Sequence, residues 1–150
     1  MRIEATGISE QRDLKAVNTP QILLVDDDDQ VVRYLRRTLE EEGYDVTTAT
    51  SGKQALAHIE QRMPDLLILD LNMPPPDGFE LLKSKRSKFP GLRVLVISGC
   101  LEGALLEAAR LFGATATLEK PVTAETLIGK VRECLEDGHS NAGRSRQRLG

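Results

Sequence analysis

The sequence predicts an α/β fold in which helices cover both faces of a five-stranded parallel sheet. Strand-like and helix-like patterns alternate five times between residues 20 and 137, as they do in repeated βα units. Residues 22–25 and 66–69 are short apolar runs, which is typical of strands buried on both faces. The first run precedes four aspartates and the second precedes Asp70. These observations predict a doubly wound sheet with carboxylates at one edge.

Each element has its own signal in the chain. The strands are predicted at residues 21–25, 45–49, 66–69, 93–97 and 115–118. The helices are predicted at residues 29–42, 51–62, from the loop at 72–78 to about 89, 102–111 and 123–136. Gly43 and Gly113 are typical of helix ends. Ser51 and Gln54 form a capping box, and Thr123 is the predicted N-cap of the last helix.

The order of these elements predicts right-handed crossovers and the flavodoxin-like strand order 2-1-3-4-5. In that order strands 1 and 3 are neighbours, so Asp26, Asp27 and Asp70 come together at the carboxyl edge of the sheet. Carboxylates gathered there repel one another unless a cation joins them, and Mg²⁺ prefers oxygen ligands. The sequence therefore predicts a small acidic metal pocket.

Composition places the chain among ordinary globular proteins. Its 150 residues are 40% hydrophobic and carry a net charge of −3, which neither favours nor excludes a polyanionic partner. The apolar runs are too short to span a membrane, and the N-terminus lacks the apolar core of a signal peptide. We therefore expect a cytoplasmic protein without direct nucleic-acid or membrane contacts. Cys100 and Cys134 match no metal spacing and are expected to be reduced thiols.

Two polar segments flank the predicted domain. Residues 1–19 are predicted to be a flexible leader, residues 20–137 the folded domain, and residues 138–150 a disordered Gly/Ser/Arg-rich tail. Because the tail is too short for a DNA-binding or catalytic module, we expect the folded domain to act on its own.

Three strand ends carry groups that suit phosphoryl chemistry. Asp70 can act as a nucleophile and form an acyl phosphate when a cation neutralises the incoming group. Ser98 ends strand 4, where a hydroxyl can bind a phosphoryl oxygen, and Gly99 leaves room for a ligand. Lys120 ends strand 5, where it can pair with Asp70 and then with the phosphate. The plain structural interpretations are turn residues for the first two and, for Lys120, a surface lysine before a proline turn, with a cis bond plausible there.

The chain resembles the receiver domains of response regulators in two-component signalling. The resemblance runs from about residue 21 to residue 136 and rests on the segments ILLVDDD, PDLLILDLNMP, DG, VLVISG and GATATLEKP. It implies that Asp70 is the phosphoacceptor, Ser98 the switch hydroxyl and Lys120 the phosphate-pairing lysine. It also implies a set of groups that would hold Mg²⁺: Asp26, Asp27, Asp70 and the backbone carbonyl of Asn72.

The resemblance further implies a phosphorelay role. A histidine kinase or histidine phosphotransfer protein would supply the phosphoryl group, and an output protein of unknown identity would bind the switched surface. Thr117 stands where family members usually carry Tyr or Phe, so the usual aromatic switch is absent. Leu101 and Leu105 of the fourth helix fall outward by register with the family, which predicts an apolar face for a partner or a homodimer. Alternatively, one or both fold back against Thr117.

Two other functions agree with parts of the sequence. A phosphohydrolase of the haloacid dehalogenase type also uses a strand-end aspartate, but it needs an acid where this chain has Asn72, so we expect no separate enzyme activity. A receiver-like module that signals by docking or dimerisation without phosphate is favoured by Thr117 and opposed by the complete acidic pocket. Treatment with a small phosphodonor distinguishes these alternatives.

Overall fold

The computed structural model describes residues 19–73, 77–99 and 104–149, with the side chains of residue 77 and of residues beyond 136 excepted. The leader predicted at residues 1–19 therefore lies almost entirely outside the described residues. Within the described part of the chain, no helix is long and apolar enough to cross a membrane.

Five strands form one parallel sheet. They are β1 (Gln21–Val25), β2 (Asp45–Ala49), β3 (Leu66–Asp70), β4 (Val94–Ser98) and β5 (Ala116–Glu119). Their order is β2-β1-β3-β4-β5, which confirms the predicted flavodoxin-like topology. The register pairs Val25 with Leu69 and Asp70 with Ile97. The carboxyl ends of β1, β3 and β4 therefore meet at the same edge of the sheet.

The helices divide between the two faces of the sheet. They are α1 (Asp29–Glu41), α2 (Gly52–Gln61), α3 (Asp77–Lys88), α4 (Ala104–Leu111) and α5 (Ala124–Leu149). Buried residues of α1 and α5, among them Leu35 and Leu127, pack on one face. Buried residues of α2, α3 and α4, among them Ile59, Leu82 and Ala109, pack on the other. The sheet is thus covered on both sides, and its ligand-accessible groups are confined to its edges.

Local side-chain bonds start and stop the helices near the predicted positions. The Asp28 side chain caps α1 by accepting two backbone N–H groups of the first turn. Ser51 Oγ accepts the Gln54 N–H at 3.1 Å, while Gln54 Oε1 accepts the Thr50 N–H at 2.8 Å. The return bond of the predicted capping box therefore reaches the residue before the cap. Gly43 follows α1 with a φ of 95°, a left-handed conformation that glycine adopts without strain.

The last helix is longer than the sequence predicts. We expected it to end near Glu136 and to be followed by a disordered tail, whereas the backbone is helical to Leu149. Extending an existing helix adds a hydrogen bond per residue without a new nucleation cost, and no proline interrupts this segment. The helix thus ends later than the sequence predicts, while the domain boundary near residue 137 and the disorder of the tail stay predictions.

The inward face of α4 also differs from the prediction. Leu105 is partly buried and packs against the core, as Phe112 does, and Ala109 between them is fully buried. These positions recur at i, i+4 and i+7, so they form one helical stripe that faces the sheet. The expectation that Leu105 points outward is therefore wrong. Leu111 lies off the stripe and is 70% exposed, while Leu101 lies outside the described residues.

Candidate functional site

Three carboxylates meet where β1 and β3 end. One oxygen from each of Asp26, Asp27 and Asp70 lies within 4.8 Å of the others. Asp26 and Asp70 are only 1% and 3% exposed, whereas Asp27 is exposed. The arrangement follows from the sheet register. Val25 of β1 is paired with Leu69 of β3, and the two buried aspartates are the residues that follow them. The predicted acidic cluster is therefore present in the structure.

The surroundings of Asp26 disfavour its charged form. Burial raises the pKa of Asp26 to about 6, although the Asp28 N–H that it accepts at 2.9 Å acts in the opposite direction. The neighbouring charge of Asp70 adds to the increase in this pKa, while Lys120 lowers it. Such a concentration of buried negative charge is favourable for a cation with oxygen ligands. The three carboxylates thus fit a hard divalent ion such as Mg²⁺.

Lys120 links the end of β5 to the acidic cluster. Its Nζ lies 3.1 Å from Asp70 Oδ2 and 3.5 Å from Asp26 Oδ2. Burial lowers the pKa of Lys120, but the hydrogen bond to Asp70 and the charges of both aspartates outweigh it, so the pKa is raised. The ammonium therefore stays charged at neutral pH and partly neutralises the cluster. The Lys120–Pro121 peptide bond is cis, as the sequence suggested.

Ser98 and Asn72 form the other side of the site. Ser98 is fully buried at the end of β4, and its hydroxyl donates to Asn72 Oδ1 at 2.7 Å. The Asn72 backbone N–H donates to Asp70 Oδ1 at 2.9 Å. The sequence placed Ser98 at this edge but did not predict the bond between its hydroxyl and the Asn72 side chain. The space over Gly99, which we expected to admit a ligand, holds the Asn72 amide: an added Cβ would lie 2.9 Å from Nδ2.

Gly78 is a second residue whose role the sequence analysis missed. It lies at the start of α3, and a Cβ there would come within 3.3 Å of the Asp70 carbonyl oxygen and of Leu71 Cα. A Cβ at this distance would crowd the backbone beside Asp70, so glycine lets α3 lie this close without displacing that backbone. The glycine of the Asp-Gly pair after the proline-rich loop was the available signal, since glycine is the default residue where backbone segments approach closely.

The remaining predicted residues lie away from the cluster or outside the described residues. Thr117 is partly buried within β5. Cys134 is fully buried in the core between α1, α5 and the sheet, which agrees with a structural thiol. Cys100 lies outside the described residues.

A largely apolar cavity of about 300 Å³ opens beside Lys120. It lies between α1 and the segment that follows β5, with Tyr34 and Pro121 in its lining. Tyr34 is 47% exposed. An apolar surface on which a protein partner could dock therefore lies next to the acidic cluster.

Comparison with known proteins agrees with this geometry. The sequence model of the protein family described as the response regulator receiver domain matches residues 22–132 of this chain. The chain belongs to this family. Receiver domains of response regulators are signalling domains of two-component systems, and the matched region of this chain is one of them.

Named relatives share the same region. The transcriptional regulatory protein PrrA of Mycobacterium tuberculosis is 32% identical over 133 residues, which cover 89% of this chain and 57% of PrrA. The response regulator MprA of Mycobacterium avium is 38% identical over 115 residues, covering 77% of this chain and 50% of MprA. The chain thus spans about half the length of these relatives.

Solved structures confirm the fold. A CheY-like receiver domain protein of Methanospirillum hungatei superposes with a TM-score of 0.78 at 30% identity, covering 83% of this chain and 99% of that one. The structure of NtrX from Brucella abortus in complex with ADP gives a TM-score of 0.77 at 32% identity, covering 87% of this chain and 29% of NtrX.

Proposed function

We propose that this domain accepts a phosphoryl group on Asp70 from a histidine kinase or a histidine phosphotransfer protein. The observation that carries the proposal is the bridge from Lys120 Nζ to Asp70 and Asp26, in a cluster that Asp27 completes. An isolated capping aspartate needs neither a partly buried lysine nor two further carboxylates around it. This grouping supports a site for transferring a dianionic group.

The chemistry assigned to Asp70 is an in-line displacement. A carboxylate oxygen of Asp70 attacks the phosphorus of the donor phosphohistidine, so that an O–P bond forms as the P–N bond breaks. The imidazole leaves with the electron pair. Lys120 then pairs with the phosphoryl oxygens instead of the carboxylate alone, and the Ser98 hydroxyl donates to one of them.

The same site is proposed to need Mg²⁺. Asp26, Asp27, Asp70 and the backbone carbonyl of Asn72 would hold the ion, and the chemistry it supplies when bound is neutralisation of charge between the carboxylates and the phosphoryl oxygens. What supports this is the donor set itself, since every group in it is an oxygen ligand.

The consequence of phosphorylation is proposed to be a change at the carboxyl ends of β4 and β5. The backbone N–H of Lys120 donates to the Ser98 carbonyl at 2.9 Å, so a shift of either residue toward the phosphoryl group displaces both strand ends. Phosphorylation then favours one of two states of the surface around α4, β5 and α5. Because Thr117 has no ring to rotate, the output cannot depend on burial of an aromatic side chain.

The partners proposed are the phosphoryl donor and an output protein, and the compartment proposed is the cytoplasm. A homodimer through α4 stays a prediction with reduced support, because Leu105 packs inward and only Leu111 remains strongly exposed among the described residues of that face. Light scattering with and without beryllofluoride measures this directly: the mass of a monomer in both conditions would exclude the dimer.

The test of the proposed function is phosphorylation by acetyl phosphate, measured as intact mass. Wild-type protein should gain one phosphoryl group in Mg²⁺ and much less in EDTA, whereas Asp70→Asn should gain none. A matched control is Glu60→Gln, which changes an exposed carboxylate of α2 and should behave as wild type. Equal modification of wild type and Asp70→Asn would exclude Asp70 as the acceptor.

A further inference from the structure

The Ser98 hydroxyl is already engaged in the structure. It is fully buried and donates its hydrogen bond to Asn72 Oδ1 at 2.7 Å. A serine hydroxyl carries a single proton. It therefore cannot donate to Asn72 and to a phosphoryl oxygen on Asp70 at the same time.

The Asn72 amide lies close to Gly99. A Cβ at position 99 would lie 2.9 Å from Asn72 Nδ2, which is the nearest heavy atom among the described residues that are not its chain neighbours. Gly99 does not have a positive φ, so its backbone alone does not demand glycine. The amide therefore occupies a space that exists because residue 99 lacks a side chain.

The same residue is anchored to the proposed acceptor. The Asn72 backbone N–H donates to Asp70 Oδ1 at 2.9 Å, so Asn72 bonds to Asp70 through its backbone and to Ser98 through its side chain. Asn72 is itself exposed. Its amide can consequently turn to water when it leaves Ser98, without an unsatisfied buried group.

We propose that the Asn72 side chain is a latch that holds the Ser98 hydroxyl in the resting state and must release it before Ser98 can bind the phosphoryl group. This inference rests on the proposed function of Asp70 and Ser98. The latch makes Asn72 a positioning residue that sets the fraction of molecules in the active state before any phosphate arrives. It also assigns Gly99 a purpose, which is to leave room for the latched amide.

The magnitude follows from the kind of bond. A neutral hydrogen bond of this type contributes a net stabilisation of about 1 kcal/mol, which is a factor of about five in an equilibrium constant. If the resting state dominates, removing the latch should raise the active fraction, and thus the apparent affinity for a phosphoryl mimic, about fivefold.

The experiment uses beryllofluoride with Mg²⁺ as the probe and follows backbone amides by ¹⁵N NMR. Asn72→Ala removes the latch while keeping the backbone N–H and carbonyl of residue 72. Gly99→Ala places a methyl carbon 2.9 Å from Asn72 Nδ2, which is too close, so the amide must move away. Both variants should bind beryllofluoride about fivefold more tightly than wild type. Before the probe is added, their Thr117 and Lys120 amide signals should already be displaced toward the bound positions.

The double variant makes the test specific. Once Asn72→Ala has removed the amide, Gly99→Ala has nothing to expel, so the two effects should not add. Ser84→Ala, which removes an exposed hydroxyl bonded to the Glu80 carbonyl on α3, is the control and should match wild type. Circular dichroism confirms that each variant is folded.

The outcomes separate this inference from the proposed function. If wild type binds no beryllofluoride, the proposed site is wrong and the latch falls with it. If wild type binds but either single variant has the wild-type affinity, or if the two effects add fully, Asp70 can still be the acceptor while the latch is overturned.

Discussion

Neutralising Asp26 should stabilise the protein at neutral pH, because its carboxylate is buried where the ionised form is unfavourable. Asp26 is 1% exposed, and burial raises its pKa from 3.8 to about 6, with Asp70 adding to the increase against the effects of the Asp28 N–H and Lys120. In Asp26→Asn the amide oxygen can still accept the Asp28 N–H. The substitution therefore removes the charge while keeping the local hydrogen bond.

The sign and size follow from linkage between folding and protonation. A carboxyl whose pKa is higher in the folded state favours folding most below its unfolded pKa and loses that contribution as the pH rises through its folded pKa. The increase of about two pKa units corresponds to about 3 kcal/mol. Asp26→Asn should thus be more stable than wild type by about 3 kcal/mol at about pH 8, and the difference should vanish toward about pH 3.5.

The assay is urea unfolding followed by circular dichroism in buffers that contain EDTA, at several pH values between these limits. Glu60→Gln on the exposed side of α2 is the control for loss of a carboxylate elsewhere. Added Mg²⁺ should reduce the advantage of Asp26→Asn, since ligand binding stabilises the wild-type pocket. An Asp26→Asn variant that is no more stable than wild type at about pH 8, or whose advantage does not change with pH, would refute this account of the pocket.

Three further predictions concern neighbouring groups. Asp27→Ala should weaken Mg²⁺ binding about tenfold or more, measured by calorimetry, because a carboxylate ligand is lost; unchanged affinity would place the metal elsewhere. Lys120→Met should lower the free energy of unfolding in EDTA by about 2 kcal/mol, because Asp26 and Asp70 lose their cation, and a wild-type urea midpoint would contradict this. Tyr34→Glu should slow transfer from a phosphorylated histidine protein but not from acetyl phosphate; slowing of both would show that Tyr34 does not act through partner docking.

The fold was predictable because its determinants are local and strong. Short apolar runs and helical spacing identified every element, and the alternation implied the parallel order that the structure confirms. The acidic cluster followed from the same logic, since Asp26 and Asp70 each come at the end of a buried strand. Residues at the carboxyl ends of neighbouring parallel strands lie close together because of the strand register, regardless of their side-chain conformations.

The side-chain details were not predictable because they depend on rotamers and on close approach. No spacing rule shows that the Asn72 amide turns onto Ser98 rather than toward solvent, or that it fills the space over Gly99. The outward direction predicted for Leu105 was wrong for a related reason. It came from the register with the family, whereas the i, i+4 relation of Leu105 to Ala109 indicates the inward direction that the structure shows. The helical backbone of the tail was missed because a Gly/Ser-rich composition was weighed without the helix that precedes it.

The central claim is that Asp70, and neither of the other two carboxylates in the cluster, carries the phosphoryl group. Borohydride reduces an acyl phosphate to an alcohol, so it should convert a phosphorylated aspartate into homoserine. After treatment with acetyl phosphate and Mg²⁺, then borohydride, tandem mass spectrometry of the digested protein should find homoserine at position 70, with Asp26 and Asp27 unchanged. Homoserine at position 26 or 27, or at none of the three, would contradict the account.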